Sequence, residues 1–128
     1  MQNIKIHVFS CYNPDDDNFT LLQPIITDEI IVPVGFISDG FSVPPALRSF
    51  QGRVGKGWYA AWVHDYCYYI GNEKYGRKWA DKLFYKNLIR SGVSKFKARS
   101  MYYAVRACGG KYYKKKNITN AVENIDAE

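Results

Sequence analysis

The stretch WYAAWVHDYCYYI, residues 58–70, decides the architecture of this 128-residue chain. It is apolar almost all round, which is typical of a helix that the rest of its domain surrounds. Gly71 and Asn72 follow it and favour a helix end, because glycine readily takes the left-handed conformation that closes helices. Its only strongly polar members are the adjacent His64 and Asp65. The stretch therefore predicts a buried central helix that carries an ionisable pair.

Two further helices are predicted after this one. Residues 77–91 place apolar side chains at the spacing of one helical face, and Gly92 stops the pattern. The third helix has Ser94 as its N-cap, continues through a stripe of apolar residues and closes at residues 109–110. The short connection around residues 72–73 favours an antiparallel pair formed by the first two helices.

The first part of the chain has the patterns of strands and turns instead. Alternating residues predict a strand over 3–10, and two β-branched runs, 20–26 and 30–34, predict a hairpin. Loops are predicted at residues 13–18 and 35–45 from their turn-forming residues. We therefore expect an α+β fold, with a small N-terminal antiparallel β-sheet followed by a three-helix C-terminal part that contains an antiparallel helix pair.

The composition predicts one globular domain over residues 1–110 and a flexible tail, basic and then acidic, over residues 111–128. Hydrophobic residues make up 47% of the chain and aromatic residues 16%, which excludes a disordered or collagen-like protein. Three widely spaced cysteines form no CxxC pair, so neither a disulfide framework nor a zinc site is expected. No leader and no membrane-spanning run is recognisable, so we expect a soluble, unexported protein.

His64 and Asp81 are predicted to face each other across the helix pair. They lie at equal distances from the midpoint of the connection, so an antiparallel hairpin brings them level. The Asp81 carboxylate can accept one ring N–H of the imidazole, and the other ring nitrogen is then left as a base. This arrangement is a His-Asp dyad. For the dyad to act in hydrolysis, an open cleft must lie beside the second nitrogen.

Asp65 projects about 100° away from His64 on the same helix and needs a cation or another partner, because an isolated buried carboxylate is costly. Oxygen atoms of the loop from Gly35 to Gly40 suit a hard cation, with the Asp39 carboxylate as a ligand. We therefore expect these residues to hold a divalent metal ion. Such an ion would assist the activation of water.

A purely structural role explains the same residues equally well. His64 and Asp65 would then only hydrogen-bond within the core. Asp81 would merely pair with Arg77, four residues before it on the same helix. The three aspartates at 15–17 lack the ligand spacing of a calcium-binding loop and are expected to form a solvated turn.

The string HDYCY at residues 64–68 resembles the active-site helix of phospholipases A2, and ADKLF at residues 80–84 resembles their second catalytic helix. The roles that the resemblance implies are water activation by His64, calcium binding by Asp65, orientation of the imidazole by Asp81, and a hydrogen bond from Tyr68 to Asp81. The chain departs from the secreted enzymes, because it lacks their disulfide network and their glycine- and cysteine-rich calcium loop.

The segment GFISDGFSVP at residues 35–44 matches the pattern Gly-Phe-x-x-Asp-Gly-x-Ser-x-Pro of a phage and prophage family, the domain of unknown function 1353. The His-Asp-x-x-Tyr and Ala-Asp segments of that family are matched by residues 64–68 and 80–81. The resemblance implies a viral origin, with a location in the cytoplasm of a bacterial host or in a phage virion. It leaves the activity open.

Three functions are consistent with these residues and with a formal net charge of +6. The leading hypothesis is a metal-dependent hydrolase of phospholipase A2-like mechanism that acts on a lipid or another anionic ester, with its basic faces on an anionic membrane surface. The alternative is a non-enzymatic phage virion, tail or assembly protein, in which the polar cluster fixes helix packing and the partners are phage structural proteins. Nucleic-acid binding is less favoured, because no recognised binding motif accompanies the positive charge.

Overall fold

The computed structural model describes residues 6–38, 56–71, 76–111 and 113. Five short strands come first: β1 (Ser10–Asn13), β2 (Asn18–Leu21), β3 (Ile25–Ile26), β4 (Ile31–Val32) and β5 (Ile37–Ser38). Three helices follow, α1 (Trp58–Ile70), α2 (Gly76–Arg90) and α3 (Lys95–Cys108), and a 3-10 turn (Gly109–Lys111) extends the last. The predicted α+β architecture is confirmed. No helix in these ranges is long and apolar enough to cross a membrane.

The strands form two antiparallel sheets. The larger sheet has the order β1-β2-β5, and the smaller one is the hairpin β3-β4. In the hairpin Ile25 pairs with Val32, and the Thr27 N–H donates to the Ile30 carbonyl at 3.1 Å across the turn. The predicted hairpin is therefore present, with shorter strands than the β-branched runs suggested.

The strand predicted over residues 3–10 is wrong for residues 6–9, which have no strand pairing, and β1 begins only after them. Just before β1, the Leu22 N–H donates a backbone hydrogen bond of 2.7 Å to the Phe9 carbonyl. After Leu22 the chain bends toward β3, and Pro24 has no N–H donor with which to continue a ladder. Residues before Phe9 therefore pair with no strand in the described part of the chain, although Ile6 and Val8 pack against the core.

Two other predictions in this region are wrong in part. The run at 20–26 is divided into β2 and β3 by the bend at residues 22–23. The loop predicted at 35–45 contains β5, in which Ile37 pairs with Thr20 of β2. Pairing over so few residues depends on tertiary contacts, which the alternation of residue types does not report.

The aspartates at 15–17 form the turn between β1 and β2, within the predicted loop. The Asn13 side chain accepts the Asp15 N–H at 3.0 Å and donates to the Asp16 carboxylate at 2.9 Å. Asp17 takes a left-handed φ of 54°. The predicted solvated turn is confirmed.

Glycines bound α1 at both ends. Gly57 precedes the helix with a φ of 82°, and a Cβ there would lie 3.2 Å from side-chain atoms of Leu88 and Val93. Gly71 follows the helix with a φ of 52°. Both values are left-handed, and glycine adopts them without a steric penalty. The helix end predicted at Gly71 is confirmed, as is the N-cap Ser94 of α3.

The helix α1 lies between the strands and the other two helices. On the strand side, Trp62 belongs to one core cluster with Leu21 and Val32. On the helix side, Ala61 belongs to a second cluster with Phe84 and other residues of α2 and α3. Because these two sides of α1 are covered, a polar side chain on either of them must find its partners inside the protein.

Candidate active site

His64 of α1 and Asp81 of α2 meet between the two helices. The Nε2 atom of His64 lies 2.8 Å from the Oδ1 atom of Asp81, and Asp81 is fully buried. A second cross-helix contact joins Tyr59 to Asn87 at 3.0 Å, so the contacts run in opposite order along the helices, which are antiparallel. The structure thus brings the two residues together as the hairpin geometry predicts, whereas their roles stay a prediction.

Tyr68, one turn after His64, shares the same carboxylate oxygen. Its hydroxyl donates to the Asp81 Oδ1 at 2.5 Å. Gly109 permits this position, because a Cβ at Gly109 would lie 2.9 Å from the Tyr68 hydroxyl oxygen. Tyr113 packs edge-on against Tyr68 with 5.1 Å between the ring centroids. Tyr113, which belongs to the segment predicted to be a flexible tail, therefore contacts the site.

Two arginines complete the surroundings of Asp81. The Nη1 atom of Arg106 on α3 donates to the Asp81 Oδ2 at 2.8 Å. The Nε atom of Arg77 lies 3.9 Å from the same oxygen and donates to the Tyr68 hydroxyl at 3.2 Å. The Nη2 atom of Arg77 donates to the backbone carbonyls of Val105 and Arg106 at 2.6 Å each. Spacing along one helix pointed to Arg77 but could not indicate the shorter ion pair from Arg106.

These contacts favour a neutral imidazole beside an ionised Asp81. Burial lowers the pKa of His64 below its ordinary value of 6.5, more than the hydrogen bond to the carboxylate raises it. Burial opposes ionisation of the carboxylate, but hydrogen bonds from His64, Tyr68 and Arg106 outweigh it and lower the pKa of that group below 3.8. Because the guanidiniums already balance the carboxylate, a protonated imidazole would add a further buried cation. The Nε2–H therefore donates a hydrogen bond to Asp81, and Nδ1 keeps its lone pair.

The imidazole is largely enclosed by protein. His64 is 8% exposed, and its ring contacts those of Tyr68 and Phe84 with centroids 4.2 Å and 4.6 Å away. Asp81 is its only side-chain hydrogen-bond partner in the described ranges. The dyad therefore has little exposed surface in this part of the chain, in contrast to the open cleft that it was expected to require.

Asp65 faces the strands rather than the helix pair. The Ser38 hydroxyl donates to the Asp65 Oδ2 at 2.5 Å, and Ser38 is buried at the end of β5. The segment that the sequence predicted as the metal-binding loop is thus adjacent to Asp65 through Ser38. Sequence reasoning missed this residue, because only the pairing of β5 with β2 places it there.

The other predicted metal ligands are described only in part. Gly35 is exposed in the turn before β5, and its N–H donates to the Leu21 carbonyl at 2.7 Å. Asp39 and Gly40 lie outside the described residues. Within those residues no three His, Cys, Asp or Glu side chains form a group that could hold a metal ion. One carboxylate and one hydroxyl supply fewer than the roughly six to eight oxygens that calcium takes, so the calcium site stays a prediction that depends on Asp39.

A cavity of about 240 Å³ lies on another side of α1. Its lining includes Cys67 and Ile70 of α1, Trp79 of α2 and Glu29 of the hairpin, but not His64. Burial raises the pKa of Cys67 to about 12, so this thiol is not a nucleophile at neutral pH. The cavity therefore does not border the dyad.

A second charged cluster links the hairpin turn to α2. Glu29 forms two bonds of 3.0 Å to Arg90 and one of 3.3 Å to Lys86. Arg90 also donates at 3.2 Å to the Asn87 Oδ1, which accepts the Tyr59 hydroxyl as well. The Glu29 side chain remains 19% exposed. This Glu29 cluster contains no imidazole, and we interpret it as a structural link that no pattern in the sequence indicated.

The fold and the site together define a small α+β protein with a His-Asp pair buried between antiparallel helices. Residues 17–105 match the model of a family described as protein of unknown function, DUF1353. Because this match spans more than half of the chain, the chain belongs to that family, as predicted from its motifs.

One curated relative is the uncharacterized protein y4iH of Sinorhizobium fredii (strain NBRC 101917 / NGR234). It is 36% identical over 80 residues, a match that covers 59% of this chain and 31% of that protein. The chain thus spans less than a third of the length of this relative. No solved structure matches the chain. These matches establish the family and carry no information on a viral origin or on phospholipases A2.

Proposed function

We propose that the chain is a hydrolase in which His64 activates water for attack on a lipid or another anionic ester. The observation that carries this proposal is the contact of 2.8 Å between the His64 Nε2 and the Asp81 Oδ1 inside the helix pair. The contact fixes the orientation and the tautomer of the imidazole, so that Nδ1 is the atom available as a base.

In the proposed reaction, Nδ1 takes a proton from water while the water oxygen forms a bond to the ester carbonyl carbon. Asp81 stabilises the imidazolium that results, because it already accepts the opposite ring N–H. The bond to the leaving oxygen then breaks, and the proton on Nδ1 passes to that oxygen. Tyr68 and Arg106 act as positioning residues, because they hold the Asp81 carboxylate in place at 2.5 Å and 2.8 Å.

A divalent cation bound by Asp65, with calcium as the candidate, belongs to the same proposal. The bond of 2.5 Å from Ser38 supports it, because it holds β5 and the chain that leads to Asp39 next to Asp65. Bound calcium would polarise the ester carbonyl. No step assigned above to the dyad depends on the ion.

The test is the release of fatty acid from phospholipid vesicles, measured with calcium and with a chelator. The variants are His64→Gln, which can still donate to Asp81, and His7→Gln, which removes an exposed imidazole before β1. We expect release by the wild type and by His7→Gln, and a loss of about a hundredfold or more in His64→Gln.

Circular dichroism melting shows whether His64→Gln is folded. A folded wild type that releases no fatty acid rejects the phospholipid as the substrate, and equal release by His64→Gln rejects His64 as the base. If fatty acid release persists in the chelator, the proposed calcium ion is rejected, whereas the proposed role of the dyad is retained.

A non-enzymatic role in a phage virion, tail or assembly intermediate is the second candidate. The enclosure of the imidazole, with 8% of His64 exposed, favours it, because a dyad that serves only packing needs no access to water. In that role the polar network would fix the helix pair in one arrangement. This role predicts that the protein releases no fatty acid. It also predicts that the His64→Gln variant assembles with its structural partners as the wild type does.

A further inference from the structure

The outer face of α3 combines exposed aromatic rings with positive charge. Phe96 is 70% exposed and Tyr103 is 63% exposed, which places them among the most exposed large hydrophobic side chains of the described residues. Lys95 and Arg99 are exposed beside them. In a helix with about 100° between successive residues, these four side chains fall within about 100° of one another. We refer to these four residues as the α3 face.

The α3 face lies in the strongly basic half of the molecule. Residues 6–38 contain five Asp and Glu and no Lys or Arg, whereas residues 76–111 contain ten Lys and Arg and a single Asp. This asymmetry would orient the helical half toward an anionic surface and the strand half away from it.

The α3 face also leads to the candidate active site. Arg106 follows Lys95 by eleven residues, which is close to three whole turns and about 16 Å along the helix, so it continues the same row. Its guanidinium is the group that contacts the Asp81 carboxylate at 2.8 Å. A surface that covers the row from Lys95 to Arg106 therefore reaches the edge of the site.

We propose that the α3 face binds the surface of an anionic lipid bilayer. Phe96 and Tyr103 would enter the headgroup region, while Lys95 and Arg99 would contact lipid phosphates. Side chains that protrude as far as these suit a broad flat surface, whereas single-stranded nucleic acids are usually held in a basic groove. The membrane contact does not depend on His64, but the choice of lipid as the substrate class rests on the proposed function.

The test is cosedimentation of the full chain with vesicles of phosphatidylcholine, with and without added phosphatidylglycerol. We expect binding only to the anionic vesicles, weakened by salt. Lys95→Gln with Arg99→Gln should lower the partition coefficient about ten- to thirtyfold, because each charge near the surface adds to binding. Phe96→Ser with Tyr103→Ser should lower it by about tenfold, because the rings no longer leave water.

The matched control is Lys78→Gln with Lys82→Gln. These two lysines are exposed on α2, and none of the exposed large hydrophobic residues in the described ranges belongs to that helix. The control removes the same charge from another helix, so we expect it to lower the partition coefficient much less than the α3 pair.

Three results overturn the proposal: no binding to anionic vesicles, an equal loss in the α2 control, or no loss in either α3 variant. Salt-sensitive binding of oligothymidine without vesicle binding also overturns it and assigns the α3 face to nucleic acid. His64→Gln should bind vesicles as the wild type does. Vesicle binding by a wild type that releases no fatty acid therefore rejects the phospholipid as the substrate and retains the membrane contact.

Discussion

The buried cluster around Asp81 and the partly exposed cluster around Glu29 use similar groups in different surroundings. In each, a carboxylate faces two cationic side chains. The Asp81 side chain is 0% exposed, whereas the Glu29 side chain is 19% exposed. Water screens the second cluster and can replace its bonds, but nothing replaces a lost partner in the first. Burial, rather than the number of ion pairs, therefore decides how much each carboxylate contributes to the stability of the fold.

Removing the charge of Asp81 should have the largest effect. Asp81→Asn keeps the shape of the side chain but leaves Arg106 without its counterion, so we expect the free energy of unfolding to fall by about 3 kcal/mol or more. Urea denaturation measures this change. Asp15→Asn, in the exposed turn after β1, is the control and should stay within about 0.5 kcal/mol of the wild type. If Asp81→Asn lowers the free energy of unfolding by less than about 1 kcal/mol, the two clusters contribute similarly to stability and burial does not distinguish them.

Acid should weaken the buried cluster by protonation, and the direction follows from the lowered pKa values. The pKa of Asp81 is below 3.8 in the folded chain, so its contribution is present above that pH and is lost as the pH falls through the folded pKa. The pKa of His64 is below 6.5, so the unfolded chain takes up that proton first, and a loss begins below pH 6.5. Urea denaturation from neutral to acid pH should show both losses. The His64→Gln variant should lack the earlier one, and an unchanged profile would contradict a buried neutral imidazole.

Displacing the Tyr68 hydroxyl should have an intermediate effect. In Gly109→Ala the new methyl group would lie 2.9 Å from that oxygen, so we expect a loss of about 1–2 kcal/mol from overpacking and from the strained bond to Asp81. Gly110→Ala is the matched control, because the nearest atoms to its Cβ belong to Arg77 at 3.7 Å or more. Thermal melts compare the two. In a Tyr68→Phe background the cost of Gly109→Ala should shrink, and an undiminished cost would show that the hydroxyl is not the obstacle.

Breaking the Glu29 cluster should have the smallest effect. Glu29→Gln keeps one acceptor for Arg90 and removes a charge that water already screens, so we expect a loss below about 1 kcal/mol. Urea denaturation in low and high salt measures it, and the difference from the wild type should narrow in high salt. A salt-independent loss as large as that of Asp81→Asn would mean that burial does not separate the clusters.

The helices and the His64-Asp81 contact follow from the sequence because both depend on local rules. Helix ends at Gly71 and Ser94 are set by residues next to them, and the register of a short antiparallel hairpin fixes which residues meet. The strands were harder to predict from the sequence. β5 pairs with β2 over only two residues, and this pairing depends on contacts with β2 rather than on an alternating pattern in β5 itself. The contact of Ser38 with Asp65 could not be predicted for that reason.

The arginines show the limit of motif reasoning at the site. Arg77 was visible as a partner of Asp81 because it lies one turn away on the same helix. Arg106 comes from another helix, and its place depends on how α3 packs, which no spacing along the chain encodes. The motif residues therefore indicated where the dyad lies, but not which cations set its electrostatics.

The contacts of Asp81 also bear on how the molecule opens. The residue belongs to α2, yet its partners come from α1 and from α3. Detaching any one of the three helices removes a partner from a buried anion, so we expect partial opening of the helices to be costly. The three helices should therefore form one cooperative unit with a shared level of amide hydrogen-exchange protection.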